Sequence, residues 1–347
     1  MRVWAICLTF FVLAACSAPH VVYLSKDIPA DASLHQVYVA KSGALGQDLS
    51  LFRAGREPGM QFALATVSIP AIQQPGQVLW PGSNRPQPDR HFVLSDVTAI
   101  ANAKAFEAAI PTSADNERVL LVHGFNMTPG KAIFSAAQIH KDFGLTSPII
   151  AFSWPSAGRP RGYLHDRDSV LIARSDLAAT LQLLTKTPGK RLSIVGHSMG
   201  SALIMEALRE LAIRGDVRTL SRISSVLLVA PDVDPEVFRR QAQEIGALPQ
   251  PFVVFVARND RALELASFFS FERRLGAIQS IDDIGDLDVT LIDLTSLGDG
   301  QGFNHEIALT SPAAIQLLKG VREGDPVAQQ ALEQYLVQSA LPVILTE

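Results

Sequence analysis

The chain is poor in the residues that cross-link or coordinate. Only two of its 347 residues are cysteines, Cys7 and Cys16, and Cys7 lies inside the opening apolar run. Two thiols so placed cannot staple a fold, so stability must come from burial alone. No Cys/His cluster has the spacing of a zinc site, and no metal or organic cofactor is expected. Charge is sparse as well. Ionisable residues make up 18% and the formal net charge is −4. With no basic run and no aromatic–basic stripe, a nucleic-acid-binding surface is excluded. Nor does any apolar run reach the ~20 residues that cross a bilayer. What the chain does have is apolar residues, at 48%. That suffices for a sizeable core and argues against disorder.

The N-terminus has its own pattern. Arg2 precedes Trp4, Ile6, Leu8 and Phe10–Leu13, and no other charge occurs before Leu13-Ala14-Ala15-Cys16. These are signal-peptide proportions. The last four residues resemble the lipobox of bacterial lipoprotein signals. That resemblance implies acylation of Cys16, and Ser17 after it implies sorting to the outer membrane. The expected organisation is a signal peptide over 1–15 and a tether over 16–35. A single folded domain follows over 36–347, with a motif-bearing core at 118–310. The expected location is the cell envelope, lipid-anchored. A plain secretory signal cleaved near Ala18 is the alternative.

From Arg118 the chain falls into a rhythm. Short apolar runs at Val119–Val122, Ile149–Ser153, Leu192–Val195, Val226–Val229, Phe252–Val256 and Val289–Ile292 predict strands buried on both faces. Helical patterns alternate with them at Lys131–Phe143, Asp168–Lys186, Ser198–Ala212 and Pro235–Ile245. Such alternation predicts right-handed crossovers and a mainly parallel α/β sheet with helices on both faces. Upstream, Gln36–Ala40 and Phe62–Ile69 read as strands and His91–Asp96 as the start of another. Thr98–Ile110 reads as a helix. Five prolines between Pro70 and Arg90 require loop. Residues 311–347 read as helical, with an apolar tail at Leu341–Leu345.

In parallel sheets, chemistry gathers just beyond the C-terminal strand ends. There the strand Leu192–Val195 runs into Gly196-His197-Ser198-Met199-Gly200 and then a helix. This is the Gly-x-Ser-x-Gly elbow in its required strand–turn–helix setting. The glycines let strand and helix pack closely, and the helix N-terminus lies beneath any negative charge that develops there. A serine hydroxyl needs a base. Of eight histidines only His305 lies downstream of Ser198, as the order nucleophile, acid, base requires. Asp260, after the strand Phe252–Val256, is the expected acid. Asp232, after the preceding strand, is the alternative acid, and its competing reading is a helix-terminal carboxylate satisfied locally. The oxyanion donors are expected to be the amides of Met199 and of Phe125 in His123-Gly124-Phe125-Asn126, with His123 stabilising that turn. Trp154, Tyr163 and Asp166, read as following the second core strand in a loop, are candidates for the pocket wall. A packing role in the loop is equally open to them.

Together these motifs resemble the DUF900 branch of α/β hydrolases, a bacterial family placed in the esterase–lipase superfamily. The resemblance is carried by Val122–Asn126, Phe152-Ser153-Trp154-Pro155-Ser156, Tyr163, Asp166, Gly196–Gly200, Ala230-Pro231-Asp232-Val233-Asp234, Asp260–Leu263 and His305. It spans roughly Gln36 to Leu309. It implies the α/β-hydrolase fold and Ser198, Asp260 and His305 as a triad. The activity expected is hydrolysis of carboxylic esters through an acyl-enzyme, on a small ester or lipid-like substrate. Amide or thioester cleavage by the same groups, or a catalytically idle envelope scaffold, are the alternatives. Other motifs fail on spacing. His305–Leu309 lacks a zincin's second histidine, and the glycines at 298, 300 and 302 do not match a dinucleotide loop.

Overall fold

A computed structural model describes residues 22–43, 55–81, 85–270, 274–278, 284–285, 287–298 and 301–338. The signal-peptide segment, Cys16, the first part of the tether and the tail Leu341–Leu345 lie outside the described residues.

Ten strands form one sheet. In chain order they are β1 (Ser33–Ser42), β2 (Met60–Ile69), β3 (Val93–Ile100), β4 (Glu117–Val122), β5 (Ile149–Ser153), β6 (Arg191–His197), β7 (Ile223–Val229), β8 (Phe252–Val256), β9 (Thr290–Asp293) and β10 (Leu336–Gln338). Their order across the sheet is β10-β9-β8-β7-β6-β4-β5-β1-β2-β3. Seven neighbouring strands, β9 to β1, run parallel. β2, β3 and β10 are added antiparallel at the edges. The expected mainly parallel sheet is present.

The principal helices are α1 (Ala103–Ala109), α2 (Pro129–Asp142), α3 (Tyr163–Leu184), α4 (Met199–Ile213), α5 (Val217–Leu220), α6 (Pro235–Ile245), α7 (Arg261–Ser270), α8 (Ile307–Thr310), α9 (Pro312–Arg322) and α10 (Pro326–Glu333). Strand side chains alternate between two cores, as a period of two dictates. In β4, Leu120 and Val122 join Leu177, Leu203 and Phe238 of α3, α4 and α6. Val119 and Leu121 join Ile133, Phe134 and Ala314 of α2 and α9 on the other face. Both faces are therefore covered, which is why these strands read as continuous apolar runs.

Several boundaries differ from the sequence reading. The helix expected over Thr98–Ile110 is a strand as far as Ile100, because Val97 and Thr98 pair with Ala65 and Leu64 of β2. Only beyond Asn102, whose side chain accepts from Ala105 N–H, does α1 begin. The tether read over 16–35 runs into the fold, since Ser33–His35 belong to β1 and Leu24 bridges to Leu94. α3 begins at Tyr163 rather than Asp168, so Tyr163 and Asp166 lie in its first turn and not in a loop. The segment after residue 311 is not all helix, for β10 pairs with β9.

Because the central strands are parallel, their C-terminal ends share one edge. The β4–β6 pairing aligns Val122 with Gly196. The turn after β4 is thereby set directly beside the elbow after β6. β4 also marks the point where the strand order reverses, its chain successor β5 lying on one side and β6 on the other. A crevice opens at such a switch point.

Candidate active site

Ser198 joins β6 to α4 with φ 52° and ψ −121°, a backbone state an L-residue holds only when its surroundings force it. Its N–H donates to Val229 O at 2.9 Å and its carbonyl accepts from Asp232 N–H at 3.2 Å, so β7 and the turn after it hold the elbow. Gly200 is required by close approach. A Cβ there would meet the carbonyl oxygens of Val122 and His123 at 2.4 Å. Gly124 is required for the same reason from the other side, since its Cβ would fall 2.9 Å from Ser198 Cβ and from His197 Nδ1. The turn after β4 and the elbow are thus in backbone contact.

Asp260 and His305 come together although 45 residues separate them. His305 Nδ1 is 2.6 Å from Asp260 Oδ2. The other carboxylate oxygen accepts from Ala262 and Leu263 N–H at 3.0 and 2.9 Å, so the start of α7 fixes the carboxylate that orients the ring. Burial works against a charged His305. The hydrogen bond and charge of Asp260, with Glu306 and Asp232 further off, outweigh it and raise its pKa above the ordinary 6.5. The His197 ring lies edge-on to His305 at 4.9 Å. His305 is thereby set against the residue that precedes Ser198.

Asp232 is not the locally satisfied helix cap weighed from the sequence. That cap is Asp234, which accepts from Glu236 and Val237 N–H. Asp232 instead accepts from Tyr163 OH at 3.1 and 3.0 Å and faces Arg274 Nε at 3.2 Å. Burial raises its pKa, with Arg274 opposing. The Tyr163 hydroxyl is pushed up by burial and by this neighbouring carboxylate. Asp293, at the end of β9, is occupied by Arg258 and by Thr295 N–H.

Two of the three residues suggested for a pocket wall are misplaced for that role. Trp154 is 1% exposed. It stacks on His123 with ring centroids 4.9 Å apart and donates Nε1–H to His123 O at 2.7 Å. Its own N–H donates to His123 Nε2 at 3.2 Å. His123, neutral because burial lowers its pKa to about 4, supports the turn as expected. Asp166 is fully buried and accepts from Asn126 N–H at 3.2 Å, Ser156 OH at 2.6 Å and Ala157 N–H at 2.6 Å. It is an anchor for two loops. Tyr163 alone remains half-buried at the site, packing edge-on against Phe125 at 5.5 Å.

The two amides expected as oxyanion donors are available. Met199 opens α4, where an N–H has no carbonyl four residues back. Phe125 N–H donates to no other described residue, whereas Asn126 N–H is taken by Asp166. Among the described residues no three His, Cys, Asp or Glu side chains converge as a metal site. Sequence reasoning missed Arg274 and Glu306. Neither lies in a motif; Arg274 reaches Asp232 only through tertiary packing, and Glu306, though next to His305 in the chain, meets His197 only in the fold.

A family profile described as an alpha/beta hydrolase of unknown function (DUF900) matches residues 98–322, well over half of the chain. The protein belongs to this α/β-hydrolase family. It is the family that the motifs resemble, and the sheet is of the kind that membership implies. Solved structures similar to this hydrolase include lipase B of Aspergillus fumigatus, at 13% identity and a TM-score of 0.42. That match covers 68% of this chain and 60% of the lipase, so the chain spans less than two thirds of the lipase's length. A Rhizomucor miehei esterase structure is 10% identical, covering 86% of this chain and 85% of its own, with a TM-score of 0.33. Dienelactone hydrolase of Anabaena variabilis is 12% identical, covering 88% and 99%, with a TM-score of 0.34. No curated protein matches the hydrolase in sequence.

Proposed function

We propose that this member of the family hydrolyses carboxylic esters through an acyl-enzyme formed on Ser198. The observation that carries the reading is the 2.6 Å contact of His305 Nδ1 with Asp260, made with the His305 ring against His197, the residue before a serine held at φ 52°. With Nδ1–H donated to the carboxylate, Nε2 is left as a bare lone pair. In this reading it takes the Ser198 proton as Oγ attacks the ester carbonyl. It then returns that proton to the leaving alcohol, and water releases the acid by the same steps in reverse roles. The Phe125 and Met199 amides hold the oxyanion. The 2.6 Å contact supports Asp260 over Asp232 as the acid, since Asp232 is engaged by Tyr163 and Arg274.

The substrate proposed is a small or lipid-like ester. The site of action proposed is the cell envelope, reached by a lipid anchor on Cys16. Support for the anchor is the run Leu13-Ala14-Ala15-Cys16, and no described helix is long and apolar enough to cross a membrane.

Purified protein should take a fluorophosphonate label on Ser198 and turn over an activated aryl ester with an acyl-enzyme burst. Turnover of an anilide or thioester, but not of the oxygen ester, would move the assignment to amidase or thioesterase. Absence of both label and turnover would overturn catalysis and leave a scaffold.

A further inference from the structure

On the α2 side of the reactive edge, side chains line a half-open cavity of about 30 Å³. Leu121 and Ile139 supply apolar wall. His197, Glu306, Ser135 and Thr310 supply polar wall. One atom in that wall is stranded. His197 Nε2 is buried with no hydrogen-bond partner among the described residues. Glu306 Oε1 lies 3.6 Å from it, which is beyond a hydrogen bond. Gln138, also at the cavity, commits its amide to Asp142 and to Leu309 O.

Burial lowers the His197 pKa to about 4, so the ring is neutral near neutral pH. A bare Nε2 there would set its lone pair against a carboxylate, and a protonated one would fall short of its acceptor. A single water resolves either case, because it can donate to both atoms or accept from one and donate to the other. A water needs roughly 10–15 Å³ of such space and two to four polar partners, and this cavity offers both.

We propose that Glu306 is a positioning residue for the base, joined to His197 Nε2 through one ordered water in this cavity. The proposal rests on His305 being the base and deepens that reading. Glu306 directly follows His305, and His197 directly precedes Ser198. The bridge therefore ties the two reactive loops together one residue away from each reacting side chain. The loop needs such a tie, since Phe303 and Asn304 before the base both hold φ near 60°. The His197 ring then presents a fixed surface to the His305 ring at 4.9 Å. The charges facing His305 are Asp260 after β8, Asp232 after β7 and Glu306 in its own loop. Facing Glu306 from α2 is the half-buried Lys131.

The test uses the full chain with Glu306→Ala and Glu306→Gln. Alanine removes the water's partner and the charge, whereas glutamine removes only the charge. Glu306→Ala should lower kcat by about ten- to a hundredfold with KM little changed, the scale of a small misplacement of a reacting group. Glu306→Gln should recover most of that loss. In both, the acid limb of kcat/KM should move to lower pH, because a negative charge that raises the His305 pKa is gone. A crystal structure of the wild type should show a water within hydrogen-bond distance of His197 Nε2 and Glu306. Wild-type kinetics in Glu306→Ala, or a glutamine variant as impaired as the alanine one, would overturn the proposal. So would a direct His197–Glu306 contact with no water. The water is seen without any activity measurement, so its absence is distinguishable from failure of the esterase reading, which Ser198→Ala tests by itself.

Discussion

Ser198 is one of six non-glycine residues at positive φ among those described, and Asn126, Ala230, Phe303 and Asn304 join it around the site. Strained backbone of this kind costs roughly 1–3 kcal/mol per residue and gathers where surroundings enforce a reactive geometry. Ser198→Ala should abolish aryl-ester turnover and fluorophosphonate labelling, with a loss on the order of 10⁴-fold or more in kcat. Residual turnover near the wild-type rate would remove Ser198 from the mechanism. Asp260→Asn should cost roughly 10²–10⁴-fold, because the amide no longer holds the imidazole tautomer. Asp232→Asn should instead act on stability, by about 3 kcal/mol, since it leaves the buried Arg274 uncompensated. Paired kinetics and thermal melts on the two variants separate these outcomes, and a larger kinetic defect in Asp232→Asn would exchange their roles. His305 has a pKa raised above 6.5, and in the proposed mechanism it must be neutral to accept the serine proton. Activity therefore falls as pH drops through that raised value, and the acid limb of kcat/KM should lie above pH 6.5. A limb below it would mean that Asp260 does not stabilise the imidazolium.

At the scale of elements, α3 shows how a buried acid can set where a helix starts. From the sequence, Asp166 reads as a loop residue just ahead of a helix that begins at Asp168. In the fold it is fully buried and receives donors from the turn after β4 and the loop after β5. Asp166→Ala leaves the Asn126 and Ala157 amides and the Ser156 hydroxyl without their acceptor. At about 1–3 kcal/mol for each unsatisfied group, it should lower Tm markedly. It should also reduce kcat by loosening the turn that presents Phe125 N–H. A full-rate, fully stable Asp166→Ala enzyme would contradict this account. The end of β3 illustrates the opposite error. The alanine-rich stretch from Thr98 has local helix propensity, yet β2 supplies a strand partner as far as Ile100. Tertiary pairing of this kind overrides a weak local preference.

On the scale of the whole molecule, seven parallel strands put the ends of β4, β6, β7 and β8 on one edge, where His123, Ser198, Asp232 and Asp260 follow them. The lipid anchor proposed on Cys16 would set where the molecule meets its substrate. Each buried CH₂ contributes about 0.8 kcal/mol, so one acyl chain holds only marginally and two or more hold firmly. The wild type should therefore resist high-salt washing and partition into detergent, and Cys16→Ser should release the protein or leave its precursor uncleaved. Mass spectrometry of the N-terminus reads this directly. An unmodified terminus at Ser17 or beyond would replace the anchor with a plain secretory signal and leave the catalytic assignments standing.

The alternation of apolar runs with helical patterns was enough, on its own, to determine the parallel sheet. The glycines around Ser198 were enough to mark the elbow, and chain order to make His305 the candidate base. These features are local, because strand burial, turn geometry and residue order are written over a few positions. Only the tertiary structure decided which acid meets His305. Asp232 and Asp260 both follow strands in the same way, and their partners come from distant segments, Tyr163 and Arg274 for one and His305 for the other. It likewise decided that Trp154 and Asp166 are buried supports, and it brought His197 within 3.6 Å of Glu306. Burial and pairing over such separations depend on how layers pack, and a residue's neighbours in the chain carry no record of that.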